Sequence, residues 1–105
     1  MKIDNIGEVI AVRKLLLSRG DAGNRTVVVK LGMPRQFPDS TDYYAPFQIT
    51  GIGSGKLKYA GGVDAFQAIQ LAMKMIGAYL SWATSEGLGD LSWEGGDKDD
   101  LGFPT

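Results

Sequence analysis

The stretch DAFQAIQLAMKMIGAYLSWAT, residues 64–84, decides the fold of this chain. Its apolar residues recur at three- and four-residue spacing without interruption, which is the period of an α-helix. Asp64 is a good N-cap residue, and Gln67 stands three positions later in a capping-box arrangement. Gly87 or Gly89 supplies the stop. Phe66, Ile69, Met73, Ile76 and Leu80 make one apolar stripe, widened by Ala65, Ala72 and Ala83. Leu71, Met75, Ala78 and Trp82 make a second. Only Gln67, Gln70, Lys74 and Ser81 form a polar strip. A helix that covers one sheet needs one stripe. The second therefore calls for a further cover.

Upstream of the helix the chain reads as strands. EVIAVRKLLLS (8–18) is rich in Val, Ile and Leu, and its imperfect alternation suggests a bulge or two-sided burial near Leu15 to Leu17. Leu and Lys also favour a short helix there, but the strand is preferred. RGDAGNR (19–25) is a turn cluster and TVVVKL (26–31) a β-branched strand, so the two runs make a hairpin with a long tip. Residues 32–46 hold three of the four prolines and form an irregular loop of the kind that often carries function. A trans Phe37–Pro38 bond is expected over a cis one. Pro46 cannot donate to a ladder, so a strand must be an edge at that point or begin after it.

PFQITGIG then continues as a third strand, with Phe47 and Ile49 on one face. KLKYA (56–60) alternates, which places Leu57 and Tyr59 inward and Lys56 and Lys58 in water. LSWEG (91–95) reads as a short fifth strand and residues 96–105 as a loose acidic tail. The whole is a single α+β domain spanning 1–105. It comprises an antiparallel sheet of four to five strands, built of meander and hairpins, with one long helix packed on one face, in the order β-β-β-β-α-(β).

Composition removes several chemistries. The chain has 105 residues, no cysteine and no histidine. Disulfides, thiol catalysis, Ser-His and Cys-His triads and the usual zinc sites are thereby excluded. The N-terminus lacks an apolar signal core, and no run approaches a membrane span of ~20 apolar residues. A cytoplasmic protein is the expectation. Residues 1–60 carry nine Lys/Arg against five Asp/Glu, whereas 61–105 carry two against seven. That asymmetry steers a charged partner or merely reflects solvated faces.

Four clusters invite a site. GIGSGK (51–56) departs from a phosphate loop, because Leu57 stands where a hydroxyl residue is needed and a strand follows. Glu94, Asp97, Asp99 and Asp100 lack the order of a calcium loop, so a solvated acidic tail and no metal is expected. Tyr43, Tyr44, Phe47 and Tyr59, near Arg35, Lys56 and Lys58, would serve as a stacking platform for single-stranded nucleic acid. The pI near 5.2 weighs against that partner. Asp39, Asp42 and Tyr43 have no evident acid–base partner. No catalytic residue and no cofactor emerges.

YAGGVDAFQAIQLAMKMIGAYL (59–80) resembles the helix of small uncharacterised bacterial domains in which a β-meander leads through a glycine turn into one long helix. The resemblance covers the meander and helix and carries no catalytic residue. It implies a domain of unassigned function. The expectation is a non-enzymatic protein-interaction domain, a homodimer or a partner-binding unit, using the helix stripe or an edge strand. Its candidate interface residues are Leu71, Met75, Trp82 and Trp93, unless the chain's own tail, through Leu91, Trp93 or Phe103, covers the stripe. The alternative is a small-ligand binder or minor enzyme with a pocket under loop 32–46.

Overall fold

The computed structural model describes residues 2–96 and 100–104. Six strands and one long helix form an α+β fold, an open antiparallel sheet with the helix on one face. Strand β1 (Val9–Ser18) pairs with β2 (Asn24–Gly32) along almost its whole length, from Val9↔Gly32 to Ser18↔Asn24. The tip between them holds a single 3-10 turn, Gly20–Ala22. The bulge lies at Val9/Ala11, at the start of β1 and not near Leu15 to Leu17 as the uneven alternation suggested. Leu15 and Leu17 point into the core, while Leu16 stays exposed on the opposite face.

The 32–46 segment is less irregular than its prolines imply. Residues Arg35–Gln36 form a two-residue strand, β3, on β4 (Tyr43–Thr50). β4 pairs with β5 (Leu57–Gly62) along one edge. Along its other edge it pairs with β2 over residues 47–50 and with β3 over residues 43–44. The strand therefore begins well before Pro46. Proline is tolerated inside it because Pro46 falls between the β2 rungs and the β3 rungs, where that edge of the ladder is already interrupted. The Phe37–Pro38 bond is trans.

The helix α1 (Ala65–Ser85) starts where its caps require. Asp64 Oδ1 accepts from Gln67 N–H at 2.8 Å, and Gln67 Oε1 accepts from Val63 N–H at 2.7 Å. Such a cap contributes about 1 kcal/mol. At the far end Gly87 takes φ 74°, and the Gly87 and Leu88 N–H groups turn back to the Thr84 and Ala83 carbonyls. That is the left-handed glycine cap of a helix terminus. α1 lies over β4 and β5 and reaches β6 (Asp90–Ser92), which pairs with β1 at Leu17↔Leu91.

The core is the layer between helix and sheet. Phe47, Ile76, Leu80 and Val27 are almost completely buried there, each stabilising the fold by about 1.5–3 kcal/mol. The helix presents Ala68, Ala72, Ile76, Leu80 and Ala83 to the sheet. Its inward face is thus set by small residues that let the backbone sit close. Ile69 and Met73 are half-buried at its margin. Phe66, placed by periodicity on the inward stripe, is 80% exposed.

β5 also turns the other way from its alternation. Phe47↔Lys58 and Ala45↔Ala60 are paired, so Lys58 and Ala60 face the helix. Leu57 and Tyr59 lie on the far face. Alternation misleads here because the far face is covered as well. Phe37, Tyr44 and Tyr59 pack together on it.

Candidate functional site

The candidate site is built on the two flanks of α1 that the sheet does not touch. Turning by about 100° per residue, the helix carries Gly77 and Thr84 along one flank. Leu71, Met75, Ala78 and Trp82 run along the other.

The first flank is closed by the chain's own end. After β6, residues 100–104 return to the body of the molecule, with Leu101 and Phe103 packed on the core. Asp97 and Asp99 of the acidic cluster lie outside the described residues. Asp100 Oδ1 accepts from Gly102 N–H at 2.9 Å. A side chain at Gly77 would strike the Pro104 carbonyl, and its Cβ would stand 3.4 Å from that of Phe103.

Arg13 holds this segment in place. Its guanidinium lies 3.7 Å from the Trp93 ring centroid and 4.9 Å from that of Phe103, and it donates to the Leu101 carbonyl at 3.0 Å. Each desolvated cation–aromatic contact contributes about 0.5–2 kcal/mol. Trp93, expected at an interface, is half-buried and used inside the chain as Arg13's stacking partner. Beside it a cavity of about 530 Å³ opens between α1, β6 and residues 100–103, with Leu80 and Leu91 as its floor and Ser81, Thr84 and Asp90 on its wall.

The second flank is open. Leu71, Met75 and Trp82 are 39, 43 and 49% exposed. With Ala78 they form a line at four-, three- and four-residue spacing, the pattern by which one helix packs on another. Tyr79 sits at the inner margin of this line, its ring 5.6 Å from that of Trp82, and Lys58 Nζ lies 4.4 Å from the Tyr79 centroid. Lys74 is the only charged residue in α1, so the line runs through a nearly uncharged surface. The chain's own tail, the alternative cover for this stripe, lies on the opposite flank instead.

Residues 11–105 match the family described as Domain of unknown function, DUF6968. The chain belongs to that family. No curated protein and no solved structure matches it. The DUF6968 region takes in every strand, lacking only the first two residues of β1, together with both flanks of α1 and the returning tail.

The other candidates resolve by geometry. In this DUF6968 domain Phe37, Tyr44 and Tyr59 spend their ring faces on one another at 5.1–5.9 Å, and Arg35 lies 5.3 Å from the Tyr44 centroid. Phe47 is buried on the opposite side of the sheet, under the helix. The four aromatics therefore do not share a platform. GIGSGK is the turn its sequence suggests, with Ser54 Oγ accepting from Lys56 N–H at 3.3 Å. Asp39 and Asp42 lie in a tight turn closed by Phe37 N–H donating to the Asp42 carbonyl at 2.9 Å. Among the described residues no three acidic side chains gather as a metal site, and no helix is long and apolar enough to cross a membrane.

Residue reasoning missed Arg13 and Phe37. A lone arginine inside an apolar strand was the available signal for the first, since a cation on a core-facing position needs a partner from elsewhere.

Proposed function

We propose that this domain is a non-enzymatic protein-interaction module that docks another protein chain on the open flank of α1, in its simplest form a second copy of itself. One observation carries this reading. Leu71, Met75 and Trp82 stand in one continuous line, each at least 39% exposed, on a helix with a single charge. Isolated exposed apolar residues are ordinary, but a contiguous apolar line rich in Met and Trp and poor in charge has the composition of an interface centre. A ligand pocket or minor active site under loop 32–46 has less support, because Phe37 packs down on Tyr44 and Tyr59 there.

Light scattering after size exclusion, at micromolar concentration, tests the self-docking form. The wild-type chain is expected at twice its 11.3 kDa mass and the Trp82→Glu variant at the monomer mass. A carboxylate at the centre of such an interface weakens association by at least about 100-fold. Wild-type and variant both running as monomers would remove the dimer.

A further inference from the structure

Next to the open flank, the outer edge of the sheet forms a groove of about 560 Å³. Its floor includes Ile3, Leu57 and Met75, and its rim carries Lys2, Lys56 and Lys58. No carboxylate lines it. The strand on which it is built, β5, has a single partner among the described strands, β4, so its other side is a sheet edge. Six residues of edge at about 3.3 Å each offer a ledge some 20 Å long. Lysines on an edge strand ordinarily discourage pairing between like sheets. Here they stand beside an apolar floor, and together the two features define a complement.

We infer that this groove takes an extended, acidic segment of another protein, which adds to the β5 edge as a further strand. The incoming backbone supplies the hydrogen bonds of strand addition. Its apolar side chains, every second residue, enter the floor beside Leu57 on the face away from the helix, and its carboxylates, on the helix side, meet Lys56 and Lys58. A second copy of this chain is the poorer occupant of the groove itself, because it would bring a duplicate set of the same lysines to one interface. The inference rests on the reading of the domain as an interaction module. Met75 belongs to both surfaces, but Trp82 lies only on the self-docking flank and Lys56 and Lys58 only in the groove, so variants at those residues make the two fail separately.

The test is an amide-resolved NMR titration of the full chain. The probe is a capped six-residue peptide alternating valine and glutamate, and the control is the same peptide with lysine for glutamate. Saturable shifts centred on Leu57–Gly62, with slowed exchange of β5 amides, are expected for the acidic peptide alone. The affinity should fall by about tenfold or more in the Lys56→Glu/Lys58→Glu variant, and markedly at high salt, where exposed charges are screened. Trp82→Glu should bind the peptide at least as tightly as wild type, since loss of the dimer can only uncover Met75. Absence of binding, equal binding of the lysine peptide, or shifts centred away from β5 would overturn the inference. A Lys56→Gln/Lys58→Gln variant guards against misfolding of the charge-reversed chain, and undiminished affinity in it would likewise count against the salt-bridging role.

Discussion

The two flanks of α1 are built from the same helix and face the same solvent, yet one is closed and the other is not. On the closed flank the helix is pared to Gly77, and residues 100–104 lie against it under the Arg13 clasp. On the open flank it carries Leu71, Met75 and Trp82, and no described residue lies over them to the same degree. Small residues mark the place where the chain covers itself at short range. Large exposed ones mark the place where it leaves room for something else. Equal changes on the two flanks should therefore have unequal consequences.

The largest contrast comes from a matched pair of leucines. Leu91 is buried on β6 at the closed side, and Leu71 is exposed on the open side. Leu91→Ala should cost about 2–4 kcal/mol through lost burial and a cavity. Leu71→Ala should cost less than about 0.5 kcal/mol in the monomer, as surface changes do. Denaturant midpoints measured at a concentration below self-association decide this. Equal losses would show that both flanks belong to one core.

The Arg13 clasp comes next. Arg13→Ala should destabilise the fold by about 1.5–2 kcal/mol, because the stacking on Trp93 and Phe103 and the bond to the Leu101 carbonyl are lost together. Arg13→Lys should recover little of that, since an ammonium lacks the planar fork that stacks and donates at once. Hydrogen exchange at Leu101 to Phe103 should accelerate in both variants, and Trp93 fluorescence should shift. Unchanged exchange would mean that the tail is held by something other than Arg13.

A smaller effect sharpens the meaning of Gly77. Alanine normally improves a helix interior by about 1 kcal/mol over glycine. At Gly77 the added methyl meets the Pro104 carbonyl, so Gly77→Ala should forfeit that gain and end about 1 kcal/mol below wild type. Removing residues 100–105 as well should restore the ordinary preference for alanine at this position. A stabilised full-length variant would place the tail further from the helix than the structure does.

The contrast also explains what was legible in the residues. The start of α1 at Asp64, its glycine stop, the first hairpin and the short strand at Leu91 are written in contiguous residues, and local patterns find them. The open stripe was legible for the same reason, since Leu71, Met75 and Trp82 need only the helical period to be seen. What closes the other flank was not. The tail reaches Gly77 through Arg13, from the far end of the chain, and no local pattern couples position 13 to 101. The inward side of β5 was misread because alternation identifies a buried face only when the other face is wet. Here Tyr59 is covered by Phe37 and Tyr44, on the face of the sheet away from the helix. The aromatic quartet failed as a platform by the same parity, which sends Phe47 to one side of the sheet and Tyr44 to the other.

Phe66 gives the smallest and most discriminating test of how periodicity should be used. Counting by threes and fours puts it in line with Ile69, Met73 and Ile76, and its size would make it the anchor of that stripe. The sheet instead receives Ala68 and Ala72, whose small side chains set the distance between helix and strands, and Phe66 is left 80% exposed at the helix start. Phe66→Ser should therefore change stability by no more than about 0.5 kcal/mol, since serine and phenylalanine have nearly the same helix propensity. It should leave the self-association governed by Trp82 intact, because Phe66 lies outside the line of Leu71, Met75 and Trp82. A loss of 2 kcal/mol or more, of the order expected for a buried aromatic, would return Phe66 to the core and shift the whole inward face of α1 toward it. That rotation would turn Leu71 and Trp82 still further from the sheet, so the same measurement fixes how much of the open flank is free to dock.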